Sequence, residues 1–155
     1  MCWQCDHPGA TRQDYLDVLQ GKVMKNGWAV QYVEAEPPFA YTIGLSEAGL
    51  PELLITGLPP ERSLLLLNTV AGYMLGEVVP APGDTFTFPD LSCAEFVEVP
   101  HPDVHMGWAV AFHDGPIRAL QVVWRDEDGH SPWCPDFNSG GPRQPVLGTR
   151  GPVDT

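Results

Sequence analysis

The chain has 155 residues, 43% of them hydrophobic, and a formal net charge of −12 from 20 acidic and 8 basic residues. That length and apolar fraction predict a single domain over residues 1–150, with a short arm at 1–10 and an irregular tail at 125–155. The acidic surplus argues against nucleic acid as a partner and against anionic lipid surfaces, both of which need Lys and Arg. It permits a basic protein partner, a cationic ligand or a metal ion.

No run approaches the ~18 apolar residues of a membrane span. The opening MCWQCDHPG has neither a basic start nor an apolar core, so it does not read as a secretory signal. The expected compartment is the cytoplasm. There Cys2, Cys5, Cys93 and Cys134 are expected as thiols or metal thiolates rather than disulfides.

In chain order, Thr11 to Asp14 reads as a capping box, with Asp in place of the usual Glu. It opens a helix burying Tyr15, Leu16, Leu19 and Val23, and Asn26-Gly27 stops it. Trp28 to Val33 is a first strand, and Pro37-Pro38 breaks the pattern. Phe39 to Leu45 alternates large and small residues and forms a second strand, paired as a hairpin with a third at Glu52 to Thr56. Pro59-Pro60-Glu61 opens a second helix, apolar almost all round and so expected to be buried on more than one side.

Short strands are expected at Thr85 to Phe88 and Ala94 to Val99, and a third helix from Pro102 to about His113. Ile117 to Trp124 is apolar on both faces and belongs in the middle of the sheet. Beyond it the tail is expected to wrap the surface through Trp133, Phe137, Val146 and Leu147. These elements describe an α+β fold: a mostly antiparallel sheet of five or six strands, two or three helices packed on it, and a long irregular C-terminal wrap.

Three runs, GWAV from Gly27, PFAYTIGL from Pro38 and PELLITGL from Pro51, stand in this order before ALQVVW from Ala119, Pro132-Trp133 and QPVLG from Gln144. Together they resemble the bacterial family known as domain of unknown function 4262. The resemblance implies one small α+β domain, often actinobacterial, and no established reaction, cofactor or catalytic residue. Members usually carry an acidic residue after Pro-Trp, where this chain has Cys134.

Four constellations carry possible chemistry. Cys2 and Cys5, three apart, can turn both sulfurs to one ion, with His7 as a further ligand and His101 or His105 completing a zinc-like set. The simpler reading is two thiols on a terminal arm. His101 and His105, four apart, share a face if helical, although Pro102 stands where a zinc protease has its Glu. Asp126-Glu127-Asp128-Gly129-His130 is read first as a solvated turn and second as a divalent-ion loop. Trp28, Tyr41, Trp108, Trp124 and Trp133, with Thr42 beside Tyr41, are candidates for a ligand pocket, set against the simpler reading of aromatic core.

Two functions follow. The first is an acidic binding module for a protein or small ligand. The second is a metal-binding protein or small metalloenzyme that uses the N-terminal cysteines and nearby histidines with zinc or another divalent transition metal.

Overall fold

The computed structural model describes residues 7–76 and 78–148. Helix α1 spans Arg12–Asn26. Its capping box is complete despite the shorter Asp: Thr11 Oγ1 accepts from Asp14 N at 3.1 Å, and Asp14 Oδ2 accepts from Thr11 N at 2.8 Å. Gly27, at φ 92, closes the other end by donating its N–H to Val23 O.

Six strands follow: β1 (Ala29–Val33), β2 (Phe39–Ile43), β3 (Glu52–Thr56), β4 (Thr85–Thr87), β5 (Cys93–Glu98) and β6 (Ala119–Trp124). They form one sheet in the order β1-β2-β3-β6-β5-β4. Every pairing is antiparallel except β3 with β6, where Leu53 lies opposite Leu120. That parallel pair demands a crossover, which helix α2 (Pro60–Leu75) and the β4–β5 hairpin provide. The fold is therefore α+β with a mostly antiparallel sheet. β6 is buried on both faces at its centre, as its largely apolar faces predict.

The alternation of side chains splits the core in two. Ala40, Leu53, Ile55, Leu120 and Val122 face α2. Tyr41, Ile43, Leu54 and Ala119 face the opposite side, with α1, α3 (Pro102–His105) and α4 (Gly107–His113). Helices thus cover both sheet faces.

Two expectations need correction. The helix expected from Pro102 to His113 breaks at Met106 (φ −118, ψ 51), whose side chain turns into the core just before Gly107, a weak helix former. Helix α2, expected to be enclosed on several sides, leaves Leu64, Leu65, Tyr73 and Leu75 exposed. It forms the outer layer on its face, so only one stripe meets the sheet. The tail uses part of its expected anchors. Phe137 is fully buried with its ring 5.5 Å from Trp124, and Leu147 packs into the second core, while Trp133 and Val146 remain exposed. No described helix is long and apolar enough to cross a membrane.

Candidate functional site

The β2–β3 connection is built around a buried carboxylate. Glu52 opens β3 and is fully buried. Its Oε1 accepts from Thr42 Oγ1 at 2.8 Å and Leu45 N at 3.2 Å. Its Oε2 accepts from Gly44 N, Ser46 N and Ser46 Oγ at 3.1, 3.0 and 2.8 Å. Burial pushes the Glu52 carboxyl above its ordinary value, and the bonds from Ser46, Thr42 and Leu45 pull against that rise. Thr42 passes the chain onward, because its Oγ1 also accepts from Leu53 N at 2.8 Å. Gly44 must be glycine: φ is 107, and a Cβ there would meet Val23 Cγ2 at 2.7 Å. With all five donors committed to Glu52, this cluster fixes a turn and leaves little capacity for a ligand.

A second polar assembly pins the tail. The Gln121 side chain, fully buried on β6, donates from Nε2 to Pro145 O at 2.8 Å and accepts at Oε1 from Leu147 N at 2.7 Å and Gly148 N at 3.2 Å. Thr56 Oγ1 donates to the same Pro145 carbonyl.

A concave surface lies elsewhere. A groove of about 950 Å³ runs between the start of α2, the β4–β5 turn and the loop after β6. Leu58, Leu66, Phe88 and Trp124 line it with apolar surface, and Arg62, Asp90 and Ser92 form one polar wall. Asp90 there accepts from the Ser92 hydroxyl, Ser92 N and Arg62, which together hold its carboxyl down at about 2. The facing wall is Arg125, Asp126, Glu127 and Asp128.

That wall is an ordered turn. Asp126 Oδ1 accepts from Asp128 N at 3.0 Å and His130 N at 2.8 Å, while Oδ2 accepts from Asn138 N at 2.7 Å. Desolvation opposes the Asp126 charge, yet these N–H bonds and the neighbouring His130 bring its carboxyl below the ordinary value. Two side-chain atoms here are buried without a hydrogen-bond partner among the described residues: Arg125 Nε and His130 Nδ1.

The residues singled out from sequence are dispersed. Cys2 and Cys5 lie outside the described residues. His7 and His101 are exposed, and the His105 ring stands edge-on to Phe39 at 6.5 Å. Among the described residues, the groups of three or more metal-ligating side chains are instead Asp126, Asp128 and His130, and His130, Cys134 and Asp136. Tyr41 is core: its hydroxyl accepts from Trp108 N at 3.1 Å, and burial pushes the phenol up to about 12. Thr42 points to the other face of the sheet, toward Glu52. Trp108 packs against the Tyr15 ring with Arg12 over its face. Of the aromatic candidates Trp124 lines the 950 Å³ groove; Trp28, Tyr41, Trp108 and Trp133 do not, nor does Thr42.

Sequence reasoning missed the groove because its walls are drawn from residues 58–66, 88–93, 124–129 and 138–139, which only the sheet order brings together. The Asp126–His130 cluster was visible as a local charge pattern.

The class defined by these features is a small α+β domain with a mixed six-stranded sheet, covered on both faces and bearing a polar groove at the side. The chain belongs to a family described as a domain of unknown function (DUF4262), whose model matches residues 22–138. The match takes in the Glu52 cluster, Gln121, and the groove as far as Asn138. No curated protein and no solved structure matches the chain.

Proposed function

We propose that the protein is a binding domain, at home in the cytoplasm, for a small polar ligand that carries both an anionic and a cationic group. The observation that carries this reading is the pairing of opposite needs on one groove wall. Arg125 has a buried Nε with no acceptor among the described residues, and Glu127 and Asp128 stand beside it exposed. A ligand carboxylate in the groove can pair with the Arg125 guanidinium, which lines the wall and has no carboxylate partner among the described residues. An ammonium group on the same ligand suits the flanking acids. Arg62 is engaged by Asp90 and is the lesser candidate for the anion. The apolar floor of Trp124, Leu66 and Phe88 supports a ligand stem. A volume near 950 Å³ favours something larger than a single amino acid, such as a short peptide or an amino-acid conjugate.

The test is a thermal-shift panel of free dipeptides and tripeptides against their N-acetylated and C-amidated forms. Ligand at tenfold its Kd adds about 1.4 kcal/mol, or roughly 3–5 °C for a chain of this size. A rise of this order for the zwitterions, reduced by either blocking group and by Arg125→Gln, supports the reading. Equal response from blocked and free forms, or none from either, overturns it.

A further inference from the structure

We propose a divalent transition-metal site formed by His130, Cys134 and Asp136, on the loop that follows β6. It stands apart from the groove reading and from the N-terminal cysteines. Each of the three residues places one ligand atom within 4.8 Å of those of the other two. In a tetrahedral site with bonds of about 2.0–2.3 Å, ligand atoms lie roughly 3.3–3.8 Å apart, so a closure of at most about 1.5 Å by side-chain rotation completes the set. Imidazole, thiolate and carboxylate together suit zinc, cobalt or nickel and are poor company for magnesium or calcium.

The loop is braced in the way such a site requires. Asp126 holds both of its arms, through His130 N on one side and Asn138 N on the other. Phe137, next to Asp136, is locked in the core. Arg143 donates to the carbonyls of Pro132, Cys134 and Pro135 at 2.6, 2.7 and 3.1 Å, which fixes the backbone on either side of the thiol.

The imidazole is also oriented. His130 Nδ1 is buried and lies 3.4 Å from Asp126 Oδ2 without making a hydrogen bond. A carboxylate behind one ring nitrogen directs the other to a metal and strengthens it as a ligand, and small closure at Nδ1 turns this contact into that bond. Nε2 is then the nitrogen that binds. Three protein ligands leave a fourth position for water.

The test titrates Co²⁺ into the full-length Cys2→Ser/Cys5→Ser variant, which removes the competing thiols. One equivalent is expected to produce a near-ultraviolet thiolate-to-cobalt absorption together with visible bands of tetrahedral intensity, both displaced by Zn²⁺. Cys134→Ser in that background abolishes the thiolate absorption. His130→Ala and Asp136→Asn each weaken binding more than tenfold, and Cys93→Ser changes nothing. Circular dichroism of the metal-free variants establishes that they are folded. Asp136→Asn, at an exposed side chain, keeps the test open if His130→Ala disturbs the loop. No thiolate absorption in the double-serine background, or one that survives Cys134→Ser, overturns the site.

Discussion

Glu52 carries a carboxylate into the interior and surrounds it with five donors. Replacing it with Gln keeps the shape but turns an NH₂ toward N–H groups that have no other acceptor. Glu52→Gln is therefore expected to lower stability by about 1–3 kcal/mol, read from urea unfolding at neutral pH. The pH dependence adds a second readout. Because burial raises the Glu52 pKa in the folded protein, the folded state holds its proton more tightly than the unfolded state. The resulting stability is present below the ordinary glutamate range and is lost as pH rises through the folded value. The advantage of wild type over Glu52→Gln should shrink as pH rises from about 4 to 8. A gap that widens over that range would mean the five donors outweigh desolvation. Tyr41 follows the same sign at the alkaline end: stability tied to its protonated phenol is lost as pH rises through about 12, and Tyr41→Phe should blunt alkaline unfolding.

Among the elements, the segment 144–148 shows how a stretch without regular structure is held. Gln121 and Thr56, neighbours on the second sheet face, take up Pro145 O, Leu147 N and Gly148 N, and Gln144 Nε2 donates to Trp124 O at 2.5 Å. Gly148 fits only as glycine, since a Cβ would meet Glu98 O and Val97 Cγ2, both at 2.6 Å. Gln121→Leu fills the space but leaves Leu147 N and Gly148 N unsatisfied, while Pro145 O keeps its bond from Thr56. Amide exchange at Leu147 should accelerate at least tenfold, while amides of the α1 interior stay unchanged; equal acceleration in both would point to global loosening instead. The same segment marks what the sequence could tell. The helices at 12–26 and 60–75 and the strands at 39–43 and 119–124 were legible because caps, prolines and alternation are local signals. Gln121 read as one polar position in an apolar strand, and its partners 24 to 27 residues away lay beyond any periodicity. Arg62 and Arg125 line one groove because β3 and β6 pair in parallel, a choice made by the whole sheet. The helix split at Met106 was hidden for the converse reason: a core demand overrode a plausible local pattern.

For the whole molecule, the balance of charge decides how conditions act. With 20 acidic residues against 8 basic ones, most carboxylates cannot find a Lys or Arg partner even if every base is used. The described ion pairs of those bases, Arg62 with Asp90 and Arg118 with Glu98, are substantially exposed and individually weak. Net repulsion among the surplus acids therefore opposes compactness, and salt should relieve it. Raising NaCl from about 0.05 to 0.5 M, which shortens the screening length several-fold, is expected to raise Tm by a few degrees at pH 8. The same change at pH 5.5 should do less, because the charge surplus shrinks toward the pI near 4.5. Glu52 acts in the same direction, since its raised pKa also favours the acid side of neutrality. The lowered Asp90 and Asp126 oppose it only further down: Asp90 loses its contribution as pH falls through about 2, and Asp126 as it falls through a value below the ordinary aspartate range. Maximum thermal stability is thus expected between about pH 5 and 6.5. In Glu52→Gln that maximum should be lower and broader, with its salt response intact, because the substitution removes the buried titration and leaves the surface charge. A Tm that falls with salt at pH 8 would instead mean that favourable ion pairs, and not repulsion, dominate the surface.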